Sequence, residues 1–182
     1  MSRTPDESLR ERLLDVALTL LRVQGEQGIT MRSVADSAGT TTPTVYKRFR
    51  SKEELLLALA MRERDRYVAR QARRKSLEDA VQGYLEWAVS HPHEYALIYG
   101  PQWSLILSAE SRRPGLRWTA EQLAKRHGGK PDDYQEITSA LWLLLHGAAH
   151  LLTQQSKGPN AAYVRRQAFA ACERIIKNAK NL

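Results

Sequence analysis

The stretch from Thr30 to Lys52, TMRSVADSAGTTTPTVYKRFRSK, constrains this chain more than any other, because it reads as two short helices joined by a glycine turn and followed by a third helix start. Thr30 is placed to cap the first, Met31 to Ser37, by accepting from an N–H of its opening turn. That helix turns Val34, Ala35 and Ala38 to one side. Gly39 then tolerates the left-handed backbone that reverses the chain, and Pro43 suits a first helical turn, whose N–H groups lack intrahelical partners. Val45 returns to the shared core. A small residue, a glycine and a β-branched residue in that order allow one helix to cross another steeply over a short turn, which is a helix-turn-helix.

The outward positions of the second helix, expected to run from Thr42 to Arg48, are Thr42, Thr44, Lys47 and Arg48, with Tyr46 beside them. Their donors, acceptors and cations suit base edges and phosphates. Between Ser37 and Lys52 the chain carries Lys47, Arg48, Arg50 and Lys52 and no acidic residue. Thr42, Thr44 and Lys47 are the candidate base readers. Thr30, Arg32, Thr41, Tyr46 and Lys52 are the candidate phosphate contacts, with free amides at the next helix start as a further phosphate clamp.

Val34-Ala35, Ala38-Gly39, Pro43-Thr44-Val45-Tyr46, Phe49 and Ser51-Lys52-Glu53-Glu54-Leu55 together closely resemble the DNA-binding signature of the TetR family of transcriptional regulators. That resemblance implies an all-helical homodimer, usually a repressor, whose DNA affinity falls when a small molecule enters its C-terminal domain. Thr40 stands where the family usually has a small apolar residue. Lys47-Arg48 stand where an aromatic residue and a histidine are frequent, which leaves the operator sequence open. The segment TSALWLLLHGAAHLL, with Trp142, His146 and Gly147, further resembles the C-terminal domain of a TetR subgroup named for tryptophan, histidine and glycine, and His91 to Tyr99 fits the same subgroup.

Charge follows the same division. The net charge is +8, and residues 1–75 hold 16 Lys and Arg against 10 Asp and Glu, leaving 12 against 10 for the rest. A basic first third suits a polyanion, and the helix-turn-helix selects DNA over RNA or a membrane surface. The single cysteine, Cys172, excludes an internal disulfide. With neither an apolar leader nor a long apolar run, the expectation is a cytoplasmic protein without a membrane partner.

Strand-like alternation is absent, so the fold is read as all-α: a three-helix head over residues 1–52, then a helical-bundle body over 53–182 for ligand binding and dimerisation. The connecting helix runs from 52 to about 71. Thr4-Pro5-Asp6-Glu7 and Ser51-Lys52-Glu53-Glu54 read as capping boxes. The first helix should end near Gln24-Gly25, with Leu9, Leu13, Val16, Ala17, Leu20 and Leu21 as its apolar stripe. In the body, helices are expected from Leu77 to Val89 behind a Ser76 cap, from His93 to Tyr99, Trp103 to Ala109, Leu116 to about Arg126, Pro131 to about Gln154, and Asn160 to about Ala179.

The last two helices are apolar on more than one side. Ile137, Leu141, Leu144, Ala148 and Leu151 form one stripe, Trp142, His146 and Ala149 another, and Val164, Ala168, Ala171 and Ile175 a third. One face can close the subunit core while the other meets a second copy, giving a four-helix interface. A larger single-chain core is the alternative.

All four tryptophans lie in the body, and rings with a polar handle suit a mostly apolar small-molecule effector. The candidate pocket is Trp87, Tyr99, Trp103, Trp118, Trp142 and His146, residues that plain core packing would use equally well. No cofactor and no catalytic or metal site is expected. His146 and His150 have the i, i+4 spacing of zinc ligands but lack a metalloprotease glutamate, and no nucleophile elbow, phosphate loop or dinucleotide fingerprint occurs. A DNA-binding dimer that senses nothing is the nearer alternative, an enzyme the remote one.

Overall fold

The computed structural model describes residues 5–100, 114–154 and 158–180. The chain is all-α. Nine helices occur among the described residues: α1 (Pro5–Gln24), α2 (Met31–Ser37), α3 (Thr42–Tyr46), α4 (Lys52–Gln71), α5 (Leu77–Ser90), α6 (Pro92–Tyr99), α7 (Pro114–His127), α8 (Gln135–Gln154) and α9 (Ala161–Asn178). Short 3-10 turns span Glu26–Gly28 and Pro131–Tyr134. The capping box at Thr4 and the helix expected from Trp103 to Ala109 lie outside the described residues.

The described residues form two compact units, one of residues 5–65 and 93–100, the other of 66–92, 114–154 and 158–180. In the first, α1, α2, α3 and the opening turns of α4 share one core, with Leu13, Leu14, Ala17, Leu21, Ile29, Val34, Ala35, Val45, Phe49, Leu55 and Leu59 withdrawn from water. The α1 stripe differs from the expected one, because Leu14 and Leu18 are buried while Leu9, Val16 and Leu20 are only partly covered. Leu97 of α6 belongs to this same core. Each such leucine contributes about 1.5–3 kcal/mol on leaving water, and the core is what holds three short helices in place.

Local chemistry sets the turns. Thr30 accepts from the Ser33 amide at 2.9 Å while Ser33 Oγ accepts from the Thr30 amide at 2.9 Å, a reciprocal cap on α2. At the other end Gly39 has φ of +61°, and the Thr40 amide closes back on the Ala35 carbonyl at 3.0 Å. Nothing lies within 4 Å of the position a Cβ would take there, so the backbone conformation, not space, demands glycine. Helix α3 stops at Tyr46, two residues short of the expected end. Its last turn tightens when the Arg48 amide donates to the Val45 carbonyl at 2.9 Å, and Phe49 drops into the core behind it.

In the second unit, α5, α8 and α9 pack against one another and α7 lies on α8. Leu77, Val81, Leu123, Tyr134, Leu141, Cys172 and Ile176 form its core. Ser76 caps α5 by accepting from the Asp79 amide at 3.0 Å. His91, ahead of Pro92, leaves the helical region at φ −131° and ψ 56° and separates α5 from α6. Pro131 opens a 3-10 turn instead of α8 itself, because the Asp133 carboxylate reaches back to the Lys130 amide at 2.7 Å. Burial pushes the Cys172 thiol up to about 12, which makes it an inert apolar group. Among the described residues no helix is long and apolar enough to cross a membrane.

Candidate nucleic-acid interface and body site

The side chains expected to meet DNA sit on or beside α2, α3 and the start of α4. Arg32 on α2 is extended into solvent, 86% exposed, with only a 3.8 Å approach to Asp36. Thr41, Tyr46 and Lys47 are exposed, while Thr42 and Thr44 are half-buried. Tyr46 keeps 52% of its surface open, a large ring that no core accommodates. Thr41 makes no cap to α3. Its hydroxyl is 2.9 Å from that of Thr44, so a candidate phosphate contact and a candidate base reader share one hydrogen bond. Thr30 is exposed, its hydroxyl engaged by Ser33.

Lys52 is half-buried and its Nζ donates to the Glu26 carbonyl at 3.2 Å, which holds the ammonium against the 3-10 turn below α2. At the start of α4 the cap engages one of the amides that the helix leaves without an intrahelical partner. The Glu54 amide donates to Ser51 Oγ at 3.3 Å and the Leu55 amide to the Ser51 carbonyl at 3.2 Å. The Glu54 carboxylate overshoots the expected box and accepts from the Arg50 amide at 2.7 Å. Hydrogen bonds from the Ser51 hydroxyl and from its own amide hold the Glu53 carboxyl below the usual carboxylate range. Arg50, which sequence reasoning counted as charge but not as a contact, is exposed between Phe49 and Ser51.

In the second unit four of the proposed pocket residues are described. Trp87 is buried, its ring 4.3 Å from that of Tyr67 and 6.0 Å from that of His91. Tyr67 in turn meets Tyr84 edge-on at 5.9 Å. The Tyr84 hydroxyl is 3.4 Å from His146 Nδ1, and the His146 ring stacks on Trp142 at 5.0 Å and 10°. Trp87, His146 and Trp142 therefore stand along one aromatic line. Burial first, then the nearby His150, lowers the His146 pKa, so its imidazole is neutral at neutral pH. Trp118 is half-buried against the Leu77 core. Tyr99 belongs to the first unit, 5.0 Å from Tyr95, and Trp103 lies outside the described residues. The candidate pocket did not include Tyr67 or Tyr84; Tyr84 stands one turn before Trp87 on α5, whereas Tyr67 is on α4 and its meeting with that ring becomes readable only once the two helices are packed.

The profile of bacterial regulatory proteins of the tetR family matches residues 13–59, and the profile described as the tetracyclin repressor-like C-terminal domain matches residues 77–172, more than half of the chain. The chain belongs to the TetR family. It is a family of regulators, not of enzymes. A similar protein, the HTH-type transcriptional activator FasR of Mycolicibacterium smegmatis, is 32% identical over 106 residues, covering 54% of this chain and 48% of its own length. The chain spans between 27% and 48% of the length of the curated relatives it matches. Among solved structures, a tetR-family regulator from Streptomyces coelicolor superposes with a TM-score of 0.70 at 20% identity, over 99% of this chain and 85% of that one. A TetR variant from Acinetobacter baumannii in complex with minocycline gives a TM-score of 0.64 at 17% identity, over 93% of this chain and 94% of that one. These structural likenesses establish the TetR fold.

Proposed function

We propose that the chain is a sequence-specific DNA-binding transcriptional regulator: a homodimeric, cytoplasmic repressor released from a palindromic operator by a mostly apolar small molecule. Residues 1–52 serve as the DNA-binding head and 53–182 as the ligand-binding and dimerisation body. The observation that carries the reading is α3 itself. A five-residue helix buries only Val45 and leaves Thr42, Thr44 and Tyr46, with Lys47 just past its end, at least partly open in a stretch without acidic residues. Each subunit places α3 in one major groove, the two heads about one helical turn, roughly 34 to 36 Å, apart. Thr42, Thr44 and Lys47 read bases; Thr30, Arg32, Thr41, Tyr46 and Lys52 hold phosphates.

The dimer forms through α8 and α9, where Leu143, Leu151 and Tyr163 expose large apolar surface in the single chain. The effector binds along the aromatic line of Trp87, His146 and Trp142, with Trp118, and the stacked Trp142–His146 pair supports the likeness to the tryptophan-histidine-glycine subgroup. The minocycline complex of a fold relative supports a ligand-responsive body. A ligand releases DNA only through its affinity difference between two body shapes.

Selection of bound fragments from randomised duplex DNA tests this reading. An inverted repeat with half-sites one helical turn apart is expected, and duplex release by members of an apolar ligand panel that also raise the melting temperature. Retention of no preferred sequence contradicts specific recognition. Because FasR carries the name of an activator, a promoter-reporter assay reads the sign of control.

A further inference from the structure

The guanidinium carbon of Arg10, on α1, lies over the ring of Phe49 at 5.3 Å from its centroid. Phe49 is buried in the core, between Arg48 and Arg50 in the chain, so the ring draws a cation from α1 to the corner where α3 gives way to α4. The side chain nevertheless remains 45% exposed. Glu11, the acidic group nearest in sequence, approaches no closer than 3.9 Å, and its other carboxylate oxygen is held by Arg62 at 3.3 Å. A guanidinium that stacks through its face keeps its N–H edge for hydrogen bonding, and that edge matches two phosphate oxygens. The ring also restricts the side chain before any ligand arrives, which lowers the entropy lost on binding.

We propose that Arg10 is a further DNA-phosphate contact, contributed by α1 and held in place by Phe49. The inference rests on the DNA-binding reading above. It extends the contact surface beyond the helix-turn-helix, so that each head grips the backbone with a residue that its recognition helix does not supply.

The test is the salt dependence of binding to a mixed-sequence duplex of about 30 base pairs, followed by fluorescence anisotropy. Each lost phosphate contact flattens the slope of log K against log salt by about 0.9. Arg10→Gln and Arg10→Met should both flatten it by about that amount per engaged head, the methionine keeping an apolar stem on Phe49 so that folding is preserved. Arg10→Lys should retain the wild-type slope. Arg117→Gln, which removes an exposed cation of α7, should leave it unchanged. If wild-type protein binds with a steep slope and both neutral Arg10 variants keep it, Arg10 touches no phosphate and this proposal fails alone. If wild-type protein does not bind duplex at low salt, the DNA-binding reading fails with it.

Discussion

Arg22, near the end of α1, donates from Nε to a carboxylate oxygen of Glu94 on α6 at 2.6 Å, across 72 positions of the sequence. The two ends of this pair differ in exposure: the Glu94 side chain is 5% exposed and that of Arg22 52%. Removing the arginine strands a buried carboxylate, whereas neutralising the glutamate leaves an arginine that water still reaches. Arg22→Ala should therefore cost about 1–3 kcal/mol, and Glu94→Gln distinctly less. Urea denaturation checks this, and an equal or reversed order of the two losses contradicts it.

A second expectation concerns α8. Leu143 and Leu151 are 63% and 59% exposed in the single chain, while Leu141 and Leu152 of the same helix are buried. Charge placed on the exposed side should separate subunits without disturbing their cores. Leu151→Glu should shift the sedimenting species from dimer to monomer with little loss of helical signal. A wild-type protein that sediments as a monomer, or a variant that stays dimeric, contradicts the proposed interface.

Acid should weaken the body through His146. Burial, and secondarily His150, lower its pKa from the ordinary 6.5, so the unfolded chain binds the proton more tightly than the folded one. The contribution of this residue to stability is then complete above about pH 6.5 and is lost as pH falls through the lowered value. Melting temperatures between about pH 8 and about pH 5 should fall more steeply for wild type than for His146→Gln. Identical pH profiles for the two proteins rule out this role for the imidazole.

Lys47 and Lys52 separate the two kinds of DNA contact. The exposed Lys47 on the C-terminal side of α3 should discriminate bases, so Lys47→Ala relaxes preference at particular operator positions by about 1–3 kcal/mol per base pair. Lys52→Ala should instead weaken all sequences alike and flatten the salt slope by about one unit for each phosphate lost. Competition titrations with single-base operator variants at two salt concentrations distinguish these patterns. The assignments are wrong if the two variants exchange behaviour.

What could be read from the chain was what short-range chemistry decides. Thr30 and Ser76 cap their helices because a hydroxyl reaches an amide three residues on, and Gly39 reverses the chain because its own φ is positive. Long-range partners carry no such local mark. Nothing in the stretch around Glu94 announces that Arg22 will bury it, or that Leu97 will join the first core. On α9 the buried residues are Ala168, Cys172 and Ile176, while the expected stripe of Val164, Ala168, Ala171 and Ile175 is half-covered except at Ala168, and a period of 3.6 permits both rows. A cysteine there acts as a small apolar residue, a role that its chemistry hides in a sequence. The placing of Thr41 against Thr44 was likewise invisible, since a threonine ahead of a helix is ordinarily its cap.

Amide hydrogen exchange of the purified protein, with and without duplex DNA at low salt, tests most directly whether α3 is the surface that meets DNA. Slowed exchange is expected between Thr30 and Glu54, strongest around Thr42 to Lys47, with α5 and α7 unchanged. Unaltered exchange across α3 in the presence of bound duplex, or protection confined to the body, would contradict it.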